Sequence, residues 1–565
     1  MGDMATQAPS TNQFKLPRLK AIFKLAPDPK AGKSKRTFWD AKFYPYDSFQ
    51  RDQPILAIVE TNELMICKLS DNVDEPITVL HSSIDEGRLP KDNRYPNIER
   101  SRDGINSCTW CYVDPSEPLV GVAGDSGQIK LINAINGTLY KTLVGHGLGT
   151  INDLATHPLY PWIIASASLD TSVRIWDLRR LKDDKEYPCI IICGHGNGHK
   201  AELLTISWHD RGRYLISGAQ DHRVCIWTLP DLSPESQFWG EIARENWKRS
   251  SDDVRVIYYP HFVTGAIHSD YVDRVAFLGD LVVSKAAQEN KIVLWKVTGF
   301  NSRELPPEPV TAPKTGEHLD NRNGFVRTKK EDRDGTVQVV VDERFQEMPL
   351  CERLLEFDVP NCQSFYMRFG LLKPSPMYPD LHPVLAIGNH FSQAFFWDFE
   401  RLDLGHDGGL GASSSREYNT FRKPSAKKKG IATRVKATMK SVNSFAASAS
   451  PDAPPSPSSS RRSSSFVTSA SSVRNRESST AATSPMPELS PSVEGPIPDR
   501  VKYCIDDPYK RLTAHVESVL PEFKYFFSAR ATAWSPCGRW CAIVGEANNS
   551  EQVSTAVVSI YERWT

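Results

Sequence analysis

Within eleven positions the chain places Cys189, Cys193, His195 and His199, side chains of the types that hold zinc. The spacing argues against that chemistry. Cys189 to Cys193 reads CIIIC, an extended run, and four steps of ~3.3 Å set its ends ~13 Å apart. Zinc needs every ligand within ~2.3 Å of one point. His195 or His199 fits better as the Gly-His element of a repeat. Cys108 and Cys111 form a lone CxxC in another extended run, where positions three apart face opposite sides. The sequence contains no phosphate-binding glycine loop, no nucleophile elbow and no paired-carboxylate motif. No metal, no cofactor and no catalytic residue is expected, so the chemistry to look for is surface binding.

Trp39, Phe365 and Tyr366 are the residues that could supply it. Aromatic faces attract a methylated ammonium by cation–π interaction, each worth roughly 0.5–2 kcal/mol when desolvated. One register brings them to the same place. Each inner strand runs toward an apolar or small landmark, and the residue four before it should recur at one height near a channel entrance. That residue is Trp39 before Phe43, Asn106 before Trp110, Asn152 before Thr156, Glu202 before Ile206, Asp273 before Phe277, Phe365 before Phe369 and Arg530 before Trp534. Glu202 and Asp273 are expected to pair with basic residues flanking the ammonium, and Arg530 with a carbonyl or terminal carboxylate of the ligand. The competing reading of any one aromatic is packing between neighbouring sheets.

The elements that must hold these residues are read from repetition. SASLDTSVRIWDL (to Leu178), SGAQDHRVCIWTL (to Leu229) and SKAAQENKIVLWKV (to Val297) each give a small-residue strand, a turn and a second alternating strand ending near Trp. Weaker copies are GVAGDSGQIKLIN, LAIGNHFSQAFFWDF, LAIVETNELMICKL and the C-terminal CAIVGE with VVSIYERW. Set apart from the long connections 72–103, 230–266 and 298–356, the repeats average about 44 residues, the length of a WD40 blade. A four-stranded blade cannot bury both faces alone, whereas a closed ring packs each against two neighbours. The expected fold is all-β, a seven-bladed WD40 β-propeller with a basic N-terminal tail (1–35), blades 1–6 (36–404), a long disordered basic and Ser-rich insertion (405–500) and blade 7 (501–565).

Composition agrees with a packed body. Of 565 residues, 40% are apolar and 24% charged, and 68 basic residues balance 68 acidic ones. The balance hides a segregation. Lys15 to Arg36 and Arg416 to Lys440 hold 17 basic residues and 2 acids, leaving 51 basic against 66 acidic elsewhere. Such a body disfavours bare nucleic acid. No apolar run approaches a membrane span, and the polar stretch Met1 to Gln13 is no secretory signal. The eleven scattered cysteines suit a reducing compartment. Residues 441–490 carry 18 serines, with Ser-Pro steps at Ser450, Ser456, Ser484 and Ser490 open to phosphorylation. The cluster Arg422, Lys423, Lys427, Lys428, Lys429 resembles a nuclear import signal, which points to the nucleus.

The sequence resembles the Embryonic Ectoderm Development / Extra Sex Combs family, the propeller subunit of Polycomb repressive complex 2. VAGDSGQIKLIN (122–133), VGHGLGTINDLATHP (144–158), ASLDTSVRIWDL (167–178), YVDRVAFLGDLVVSK (271–285), FYMRF (365–369) and LAIGN (385–389) carry the resemblance. It implies a non-enzymatic scaffold whose channel entrance reads trimethyl-lysine on a histone H3 tail. By motif, Trp39, Phe365 and Tyr366 match cage aromatics, while Asn106 stands where a further aromatic is expected. Asn152, Glu202, Asp273, Arg368 and Arg530 match residues lining the entrance. It also implies a SET-domain methyltransferase subunit docked by a helix on the opposite face and stimulated on mark binding, a Suppressor of zeste-like subunit, and gene silencing. Two other classes are a cullin-ligase substrate receptor, from the WDxR-like Trp176-Asp177-Leu178-Arg179, and auxiliary nucleosome or DNA contact through the basic segments.

Overall fold

The structure, a computed structural model, describes residues 16–25, 36–46, 53–84, 104–244, 254–311, 322–403 and 503–563. Short gaps fall inside these ranges at 73–74, 183–186, 195–197, 332–336, 504, 506, 521–526 and 549–553. The expectations for the 405–500 insertion, its Ser-Pro steps and its basic cluster lie outside the described residues, as does His195.

Among the described residues seven blade sheets follow one another as the repeats require, each built on an antiparallel four-stranded unit. Their inner strands are Phe38–Phe43, Ile105–Cys111, Ile151–Thr156, Leu203–Trp208, Val272–Leu278, Gly370–Leu372 and Phe527–Trp534. Clusters of buried apolar residues sit between neighbouring blades. Phe38, Leu56 and Met65 of blade 1 share one with Trp540, Val558 and Ile560 of blade 7, so first and last blades meet. This is the ring expected from sheets that are apolar on both faces.

The Trp-ended repeats owe their shape to a buried hydrogen-bonded chain. In blade 3, Trp176 Nε1 donates to Ser166 Oγ at 2.9 Å, Ser166 meets His146 Nε2 at 2.7 Å, and His146 Nδ1 meets Asp170 at 2.7 Å. Blade 4 repeats the chain with Trp227, Ser217, His199 and Asp221, and blade 5 with Trp295, Ser284, His268 and Glu289. Burial holds His146 and His268 below the usual imidazole range, so each stays a neutral link. His199 is therefore the Gly-His partner of its repeat. Cys189 and Cys193 close the two ends of a wholly buried outer strand of blade 3.

Two domain boundaries differ from the sequence expectation. Within the supposed tail, Arg18–Lys24 is a strand pairing antiparallel with Ser554–Glu562 as the outer strand of blade 7. Past the insertion, Val516–Val519 pairs with Gln393–Asp398 and completes blade 6, not blade 7. The reason is the same in both places. A blade without its outer strand would leave an exposed edge, and a strand from distant sequence covers it. Shorter borrowed strands, Arg255–Ile257, Arg322–Asn323 and Arg511–Leu512, add a fifth member to blades 3, 4 and 5.

Candidate ligand site at the channel mouth

The register argument has a structural cause. Each inner strand of blades 1, 2, 3, 5 and 7 slips by one residue against its neighbour, and the extra residue is Trp39, Asn106, Asn152, Asp273 and Arg530 in turn. A β-bulge leaves one residue unpaired and re-aims its side chain, so these positions share a height. Glu202 does not belong to the set. The blade 4 bulge falls at Leu204, and Glu202 lies just before the strand, its carboxylate held by Gln220 Nε2 at 2.6 Å. The misread landmark was Ile206, mid-strand; Trp208 ends this strand as Trp110 nearly ends its own, and counting four back from it reaches Leu204.

Blade 6 departs from the pattern. Its inner strand is short, and Tyr366 just before it has a left-handed backbone, φ 60°. That conformation costs a non-glycine residue roughly 1–2 kcal/mol. Contacts on both sides hold it: Tyr366 N–H donates to Asp273 Oδ2 at 3.1 Å, and Arg368 N–H donates to the Arg530 carbonyl at 2.8 Å. The turn throws the Tyr366 ring toward Trp39, with centroids 6.3 Å apart at 76°, while Phe365 meets Tyr366 at 4.6 Å and 83°. Trp39, far away in sequence, thus joins Phe365 and Tyr366 in one edge-to-face group, each half-buried. Arg530 lies over the Trp39 ring at 5.1 Å and Arg368 over the Tyr366 ring at 4.7 Å. These rings already act as cation–π partners.

Below the bulges lies a second ring, of which the sequence reading named only Arg368. The residues one step past the bulges, Asp40, Ser107, Asp153, Thr205 and Arg274, meet Arg368 of blade 6 in the channel. Asp153 receives Thr205 Oγ1 at 3.0 Å, Arg368 at 3.3 Å and Arg274 at 3.5 Å; Ser107 Oγ reaches Asp40 at 2.9 Å. Burial works against the Asp40 charge, but Lys42 and Arg368 outweigh it and hold the carboxyl below its usual range. For Asp40, Ser107, Asp153, Thr205 and Arg274 the signal was available, since each follows a bulge residue by one. Arg368 belongs to this inner ring and ties blades together through the Asn152 and Leu204 carbonyls at 2.7 and 3.1 Å.

Two expected ligand contacts have partners inside the protein. Asp273 is 1% exposed and holds Lys285 at 3.4 Å as well as the Tyr366 amide, which makes it a support for the aromatic turn. Arg530 donates to the Phe365 carbonyl at 3.1 Å and pairs with Glu546 at 2.6 Å. Asn106 and Asn152 act alike, each donating its amide to the next blade's first strand residue: Asn106 to Ile151 O at 3.3 Å and Asn152 to Leu203 O at 2.6 Å.

The chain matches the WD domain, G-beta repeat family over residues 137–177 and 190–228. It is 36% identical over 410 residues to Polycomb protein EED of Chaetomium thermophilum, covering 70% of this chain and 63% of that protein. It is 26% identical over 300 residues to Polycomb protein esc of Drosophila melanogaster, covering 53% and 58%. The alignment thus spans less than two thirds of the length of these relatives. A chain in the crystal structure of the Chaetomium thermophilum polycomb repressive complex 2 superposes with TM-score 0.64 at 27% identity, covering 98% of both chains. A chain in a structure of ctPRC2 in complex with H3K27me3 and H3K27M gives TM-score 0.64 at 26% identity, covering 98% and 99%.

Proposed function

Because the chain belongs to the Embryonic Ectoderm Development / Extra Sex Combs family of WD40 propellers, we propose that it is a non-enzymatic scaffold of a histone H3 lysine methyltransferase complex. At the channel mouth it reads trimethyl-lysine on the H3 tail and thereby stimulates the SET-domain subunit, in the nucleus and in the service of gene silencing. The carrying observation is the edge-to-face group of Trp39, Tyr366 and Phe365 at one mouth. Rings that lend a face to Arg530 and Arg368 have the electronic character to receive a methylated ammonium. Stimulation is a linkage: a peptide that favours the active arrangement must itself bind more tightly when the partner is in that arrangement.

The catalytic subunit docks by a helix on the face opposite the mouth, and a Suppressor of zeste-like subunit joins the assembly. The basic tail and insertion add nucleosome contact. The ligase-receptor alternative is disfavoured by Arg179, which is bonded to Asp177 at 3.0 Å and lies over Trp239 at 4.7 Å. Calorimetric titration of a trimethyl-lysine H3 peptide against wild type and Tyr366→Ala tests the reader role. Equal affinities would remove it. Purification from nuclear extract tests the scaffold, which requires a SET-domain subunit to co-purify.

A further inference from the structure

We propose that Asn106 makes the mouth accept dimethyl-lysine nearly as well as trimethyl-lysine, an inference that rests on the methyl-lysine reading above. Consecutive bulges put Trp39, Asn106 and Asn152 on blades 1, 2 and 3 at one height. The Tyr366 ring touches the first of these and its hydroxyl bonds the last. Asn106 thereby lies between two residues that the same tyrosine contacts, which under the methyl-lysine reading puts it beside the ammonium. The bond from Nδ2 to the Ile151 carbonyl fixes which end of the amide is spent. No donor among the described residues reaches the other end, Oδ1, and the side chain is half-buried and open to solvent.

The chemistry follows from what each ligand carries. A trimethylammonium has no N–H, so an all-aromatic enclosure leaves nothing unsatisfied. A dimethylammonium has one N–H, and enclosing it among rings alone would strand a charged donor. Oδ1 of Asn106 offers that N–H an acceptor, making a charge-assisted hydrogen bond. The trimethyl form gains no such bond and loses the ring that an aromatic at this position would have supplied. Both effects narrow the gap between the two marks. Sites that hydrogen-bond a ligand group discriminate by that group more sharply than by a methyl.

The test is calorimetric titration of H3-tail peptides bearing one mono-, di- or trimethyl-lysine against the full chain and two variants. Wild type is expected to bind the dimethyl peptide within about threefold of the trimethyl one. Asn106→Leu, which cannot accept, should weaken dimethyl relative to trimethyl binding by about tenfold, the effect of one modest hydrogen bond. Asn106→Tyr should tighten trimethyl binding and open a similar gap. Reading the ratio cancels any loss of the Ile151 bond common to both ligands. A wild-type preference for trimethyl of tenfold or more, or a ratio unmoved in both variants, overturns the inference and leaves the reader role standing. Failure of every peptide to bind wild type overturns both.

Discussion

The hydroxyl of Tyr366, in blade 6, donates to Oδ1 of Asn152, in blade 3, so one side chain spans the channel mouth between blades that are not neighbours. Asn152 in turn donates to blade 4 through Leu203 O, and its own carbonyl receives Arg368. The aromatic group is thereby anchored on several blades at once. A ligand pocket on such a frame needs little reorganisation on binding, which is where affinity is usually lost.

Tyr366→Phe isolates that anchor, because the ring remains and only the hydroxyl leaves. A positioning bond of ordinary strength contributes about 1 kcal/mol. We expect trimethyl-lysine peptide to bind about three- to tenfold more weakly, with Tyr366→Ala losing far more. An unchanged titration for Tyr366→Phe would show that packing alone orients the ring.

Deleting residues 1–24 removes the outer strand of blade 7. Leu19 and Ile22 pack on the blade 6 and 7 core, Phe23 on the blade 7 and 1 core, and Lys20 bridges Asp71 and Glu562 at 2.8 Å each. Partial burial of these side chains stabilises the ring by roughly 3–5 kcal/mol. The truncated chain should melt several degrees lower and associate through the bared edge of Ser554–Glu562. A melting curve and light-scattering mass equal to wild type would refute the closure role.

Acid should weaken the ring before its carboxylates titrate. His157 is held to about 4, below the usual 6.5, mainly by burial, partly offset by its bond to the Gly212 carbonyl at 3.2 Å. With the folded value below the unfolded one, the unfolded chain takes up the proton first. Stability is therefore whole above pH 6.5 and falls as pH drops toward 4, by up to about 3 kcal/mol from this residue. Glu289, held at about 2 against burial by His268, adds its own loss only at lower pH. Thermal melts from pH 7 to 4.5 should slope downward, and His157→Gln should flatten them. A slope identical in both proteins would assign the acid response to other groups.

Much of this site was legible along the chain because period-two alternation and recurring Trp mark the strands locally. The four-residue count worked where the landmark lay at or one short of the strand's end, as at Phe43, Trp110 and Phe277. It failed at Glu202 because apolar residues fill the whole blade 4 strand, so Ile206 and Trp208 looked alike as landmarks. It found Phe365 in blade 6, although no local pattern shows that Tyr366 turns through a left-handed backbone.

The repeat, its blade number and the aromatic, amide and charged residues at the rim follow from residue types and spacing, since strand alternation and turn chemistry act over a few residues. Partnership was decided only in three dimensions. Asp273 supports Tyr366 and Arg530 lies over Trp39 because ring closure brings together strands far apart in the chain. The same closure draws Arg18–Lys24 out of an apparent tail, for an unpaired sheet edge is satisfied by whichever strand reaches it, and sequence distance does not tell which.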